Sequence, residues 1–271
     1  DPDQPSQQPA SGSSHPYELQ TEMIPYGSSV VAVVAIPDIY DDLGELFGRA
    51  LAKARSSKLA GVVLDLRDDG GGSTEGAIDT LGAFLPGASL FPIRSKDGTI
   101  ETDRAPRAPN GQAWDGPVAT LVDAGTASAA EMLAGALAAY KRGPTVGGPT
   151  YGKGCAQEYL DDDAHAGLLR VTTLLFALPD GSPVQRVGLT PMIPFPFVAR
   201  DVGDDRETKL ARSPATWTGP DVRDPAWLAQ TSRFAWPAAA GRIGPCREDA
   251  VCKALALLAD PHVRRATASR K

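Results

Sequence analysis

Three short apolar runs, Val30-Val-Ala-Val-Val34, Gly61-Val-Val-Leu-Asp-Leu66 and Pro117-Val-Ala-Thr-Leu-Val122, constrain this chain more than any other feature. Each has the length of a strand and is apolar enough to be buried on both sides. Apolar residues at helical spacing follow each run. Ile39, Leu43, Leu46, Phe47, Ala50, Leu51 and Ala54 follow the first, Ile78, Leu81 and Leu85 up to Pro86 the second, and Met132, Leu133, Ala136, Leu137 and Tyr140 the third. Strands alternating with helices predict an α/β protein built on a parallel-rich sheet. Residues 94–116 are polar and carry the turn signals Lys96-Asp97-Gly98 and Pro109-Asn110-Gly111, so they read as an excursion before the third strand.

The joints between strand and helix hold the chemistry. Ser128, in Gly125-Thr-Ala-Ser-Ala-Ala-Glu131, falls at the turn where the third strand becomes a helix, and free N–H groups and the helix dipole there favour developing negative charge. A serine hydroxyl becomes a nucleophile only when a neighbour takes its proton, and Lys153, in Tyr151-Gly152-Lys153-Gly154, can do so in its neutral form. Activity from such a pair is expected to grow as pH rises. Ser128 and Glu131 also match the Ser-x-x-Glu capping box, a purely structural explanation for both. Gly70-Gly71-Gly72 can serve as a tight turn or as a close approach of backbone N–H groups to a carbonyl.

With Asp65-Leu-Arg-Asp-Asp-Gly-Gly-Gly72 and Gln157, these motifs resemble, in order and over about residues 27–195, the C-terminal-processing or tail-specific serine peptidases. The resemblance implies a ClpP/crotonase-like ββα spiral. It makes Ser128 the nucleophile, Lys153 the general base and Gln157 the residue that orients the lysine. It implies an oxyanion hole from the N–H groups of Gly72 and Ala129. It also implies a protein or peptide substrate cut near its C-terminus, an acyl-enzyme, no cofactor and a periplasmic or secreted location. In a straight strand Gln157 would lie well beyond reach of Lys153, so their contact needs a bend, which Gly154 could supply. Ala139 stands where some members carry an acidic residue, and Cys155 where a small hydroxyl residue is usual. Members usually place a helical segment and a PDZ domain before the strand matching Val30–Val34; a Pro/Ser/Gln-rich lead stands there, so a core without the tail reader is expected, with recognition falling to the groove, to residues 201–271 or to a separate chain.

Two other functions match parts of the sequence. Gly147-Gly-Pro-Thr-Tyr-Gly152-Lys153 nearly spells a phosphate-binding P-loop, but Gly154 supplies no hydroxyl for Mg²⁺ and the sequence after it reads as extended, where a P-loop needs a helix. The alternative to an enzyme is a non-catalytic ligand- or protein-binding member of the same fold. Ser128, Lys153 and the glycine turn argue for the enzyme, since a binder needs none of them.

Residues 1–16, rich in Pro, Ser, Gln and Gly, read as a linker or disordered tail, residues 17–200 as the peptidase core, and residues 201–271 as an irregular extension of unknown role with one short helix through Val251, Leu255 and Leu258. The net charge of −6 over 271 residues comes without a basic stripe, which argues against nucleic acid. No apolar run approaches a membrane span. With neither an initial Met nor a signal peptide, the sequence reads as a mature product or an expressed piece. Cys246 and Cys252 are close enough to bridge, and a bridged or an unpaired pair both fit. The aspartates around the glycine turn fit no calcium loop and are read as caps or solvated groups. His15, His165 and His262 form no zinc-like cluster, so no metal is expected.

Overall fold

The computed structural model describes residues 18–108, 113–162, 167–197, 207, 210, 213–230, 235–239 and 243–269. The linker expected over residues 1–16 lies outside them, as do His15 and His165.

One mixed sheet has the order β1-β2-β3-β6-β7-β10. Its strands are β1 (Thr21–Tyr26), β2 (Ser29–Ala35), β3 (Leu59–Asp65), β6 (Val118–Val122), β7 (Thr145–Gly147) and β10 (Ile193–Pro194). β1 is antiparallel to β2, and every later neighbour is parallel. The three apolar runs are thus the sheet's centre. Alternate side chains go to opposite faces: Val62, Leu64, Val118 and Val122 join α1 (Leu43–Ala54), α2 (Thr74–Gly82) and α3 (Ala129–Ala139) on one side. Val31, Val33, Val63, Ala119 and Leu121 meet Trp236 and α5 (Asp249–Ala259) on the other. Two apolar layers explain why the runs lack polar alternation.

The excursion over 94–116 departs from expectation. It contains the end of β4 (Ser89–Ser95) and all of β5 (Ile100–Arg104), a hairpin at one side of a second, antiparallel sheet ordered β5-β4-β9-β8. β5 reads Ile-Glu-Thr-Asp-Arg and is largely exposed, so its polarity is that of an edge strand rather than a loop. β8 (Cys155–Asp162) and β9 (Gly167–Phe176) complete that sheet, so an extended segment does follow Lys153.

Described residues beyond 200 are knitted into the core. α4 (Pro225–Leu228) follows Asp224, which accepts the Ser89 N–H at 2.6 Å. Ile243 pairs with Tyr26, Cys246 is disulfide-bonded to Cys252, and α5 leads into α6 (Pro261–Ser269). No helix among the described residues is long and apolar enough to cross a membrane.

Candidate active site

Ser128 sits between β6 and α3 with φ 55° and ψ −118°, angles a non-glycine residue adopts only where its surroundings impose them. The turn before it is built around Asp123, whose Oδ1 accepts the N–H groups of Gly125 at 2.9 Å and Thr126 at 3.2 Å, and that of Asp68 at 3.0 Å. Thr126 Oγ1 donates to the Leu66 carbonyl at 2.8 Å, and the Ala127 N–H to the Asp69 carbonyl at 2.9 Å. The serine turn is thereby fastened along the glycine turn that ends β3.

Contact between those turns is close enough to exclude side chains. A methyl group on Gly71, φ 97°, would lie 2.8 Å from Ser128 Cβ and 3.0 Å from the Ala129 nitrogen. On Gly72, φ 141°, it would meet the Ile39 carbonyl oxygen at 2.2 Å and Asp38 Oδ1 at 3.2 Å. Among the described residues, neither the Gly72 nor the Ala129 N–H donates to another group. Gly72 is exposed. Two unengaged donors beside a half-buried serine are what a developing oxyanion needs.

Glu131 links serine to lysine. Its side chain is wholly buried, and one oxygen, Oε2, accepts the main-chain N–H of Ser128 at 2.9 Å and that of Lys153 at 2.8 Å. Oε1 accepts from Gly152 N–H at 2.8 Å and from the Thr150 hydroxyl. Burial pushes the Glu131 carboxyl up, and these four donors pull it back. The Tyr151 N–H also donates to the Thr126 carbonyl at 2.9 Å. The capping geometry at Glu131 and the approach of Ser128 to the lysine loop are therefore one structure. The sequence marks Glu131 only through the Ser-x-x-Glu spacing, which points to a structural cap.

Lys153 lies between Gly152, φ 95°, and Gly154, and is half-buried. The Gly154 N–H donates to buried Gln185 Oε1 at 2.8 Å, and Gln185 Nε2 donates to Glu207 Oε1 at 2.8 Å and Ser213 Oγ at 2.7 Å. The lysine loop is thus backed by residues from the C-terminal extension. Gln157 enters β8 at a slip in register between Ala156 and Gln157, opposite Thr172. Its Oε1 is buried with no partner among the described residues.

The aspartates at the glycine turn are not alike. Asp68 is exposed; Asp65 and Arg67 form a two-bond pair, Nε to Oδ1 at 2.7 Å and Nη2 to Oδ2 at 2.6 Å. Arg67 reaches Glu248 in the same forked way, at 2.7 Å and 2.8 Å, and stacks 4.7 Å from the Phe197 ring centre. Asp69 is fully buried, which overturns the solvated reading for that residue. Among the described residues, no three or more His, Cys, Asp or Glu side chains converge as metal ligands.

A tail-specific protease of Haemophilus influenzae is 30% identical over 65% of this chain and 26% of its own length. The chloroplastic carboxyl-terminal-processing peptidase 2 of Arabidopsis thaliana is 37% identical over 54% of this chain and 28% of its own. The chain therefore spans only about a quarter of the length of these relatives. A solved photosystem II D1 C-terminal processing protease superimposes with a TM-score of 0.56 at 24% identity, covering 66% of this chain and 48% of that one; it carries the same fold. Residues 30–195, more than half of the chain, match the model of peptidase family S41, and the chain belongs to that family.

Proposed function

We propose that this chain is the catalytic core of a serine endopeptidase in which Ser128 is the nucleophile, Lys153 the general base, Gln157 the lysine's orienter, and Gly72 and Ala129 the oxyanion donors. Neutral Lys153 takes the hydroxyl proton as Ser128 Oγ bonds the scissile carbonyl carbon. The two N–H groups hold the oxyanion, the C–N bond breaks, and the lysine returns the proton to the departing amine. Water then hydrolyses the Ser128 ester.

The observation that carries this reading is the single Glu131 oxygen that accepts from both the Ser128 and the Lys153 main chain. Gln157 Oε1 is buried with no partner among the described residues, so it is not bonded to Lys153 here but is left free to accept a lysine N–H. The relatives' names support a protein or peptide substrate cut near its C-terminus, with recognition completed by a segment or chain beyond this core. The Cys246–Cys252 disulfide suits an exported protein. The net charge of −6 gives no footing for nucleic acid.

A fluorophosphonate probe followed by intact-mass measurement tests the reading. One adduct is expected on wild type and none on Ser128→Ala, together with loss of peptide cleavage in that variant. Cleavage by Ser128→Ala would overturn it.

A further inference from the structure

Asp69 is the fully buried carboxyl at the glycine turn, and the reaction above leaves it unused. Its Oδ1 accepts the Gly71 N–H at 2.8 Å, and Oδ2 is buried with no partner among the described residues. Its carbonyl holds the Ala127 N–H, one residue before Ser128. The titratable groups around it offer no counter-charge. From the connection between β2 and α1 it faces Asp38 and Tyr40, and its neighbour in its own turn is exposed Asp68; Asp123 of the serine turn is itself engaged by three N–H groups, one of them that of Asp68. Arg67, two residues back, is taken by Asp65 and Glu248.

A buried carboxylate with one hydrogen bond, no cation and another carboxylate facing it is far costlier than the neutral acid, which leaves a single O–H unpaired. We propose that Asp69 is a neutral carboxylic acid in the working protein and a positioning residue. It holds Gly71 so that the Gly72 N–H stays open to the substrate oxyanion, and its ionisation sets the alkaline limit of the reaction. Asp38 already stands beside Gly72, so a second negative charge there would oppose the same oxyanion. Burial, with Asp38 adding to it against the pull of the Gly71 N–H, pushes Asp69 up to about 8.

The proposal rests on the peptidase reading for its catalytic half only, and the two halves are read separately. Because the folded pKa is raised, unfolding releases a proton between about pH 4 and pH 8, so this group's contribution to stability is lost as pH rises through that window. In wild type, the apparent melting temperature should fall across the window more steeply than in Asp69→Asn, and ¹³C-carboxyl NMR of aspartate-labelled wild type should show an aspartate titrating near 8. The NMR arm needs no variant to fold. For the catalytic half, kcat/KM of wild type should rise with pH and then fall by about tenfold or more above the Asp69 ionisation, whereas Asp69→Asn should match wild type near neutrality and keep its activity at alkaline pH. An aspartate set that all titrates in the ordinary range overturns the neutral acid. Superimposable pH–rate profiles overturn its positioning role. A wild type that cleaves nothing overturns the peptidase reading and the positioning role with it, while the stability and NMR arms still decide the protonation state.

Discussion

Glu131 receives four hydrogen bonds from two stretches of chain: the serine turn and residues 150–153 of the lysine loop. All four partners are donors, so the carboxylate cannot be exchanged for an amide without turning an N–H toward an N–H or O–H. Glu131→Gln should cost about 2–3 kcal/mol of stability, the penalty of stranding buried donors, and should slow probe labelling of Ser128 while its hydroxyl remains. Chemical denaturation and labelling rates check this; unchanged labelling would mean that Glu131 only caps α3. Ser128 and Lys153 were legible because each stands in a short contiguous motif, one at a strand-to-helix turn and one between two glycines. Asp69 was not, because it stands among Asp65 and Asp68 in a run of similar letters, and burial is decided by Asp38, Ile39 and the serine turn arriving from elsewhere in the chain.

At the scale of elements, the glycine turn is steadied at its start by a cation between two carboxylates. Asp65 and Arg67 have side chains only 14% and 16% exposed, whereas Glu248, ahead of α5, is 54% exposed. The two halves of this network are therefore unequal. Glu248→Ala should cost about 1 kcal/mol or less, since solvent screens the pair. Arg67→Ala should cost about 2–3 kcal/mol, because it leaves Asp65 unpaired and strips the cation from the Phe197 ring. Equal losses in denaturant titrations would contradict this ordering. Central strands and their helices were readable from periodicity alone. The β4–β5 hairpin was hidden because an edge strand facing water carries the composition of a loop, and short β7 and β10 make their meaning only by pairing.

For the molecule as a whole, residues beyond 200 supply the second apolar layer. Trp236, Val251, Ala254, Leu255 and Leu258 cover Val31, Val33 and Val63 on the face that α1, α2 and α3 leave bare. Each large buried side chain contributes about 1.5–3 kcal/mol against a total of about 5–15. Deleting residues 201–271 should therefore give an aggregated or unfolded chain rather than a smaller enzyme, as judged by circular dichroism and size-exclusion chromatography. A monomeric truncated chain melting at the wild-type temperature would refute this. Periodicity located α5 but not what it covers, since alternate residues of β2 and β3 look equally apolar whichever layer they face. The bridge between Tyr26 and Ile243, beside the Arg247 N–H donated to Glu22 at 2.6 Å, has a mechanical consequence. Force on β1 or on the segment ahead of α5 is shared by these two contacts, so neither segment can be drawn away from the other without breaking both.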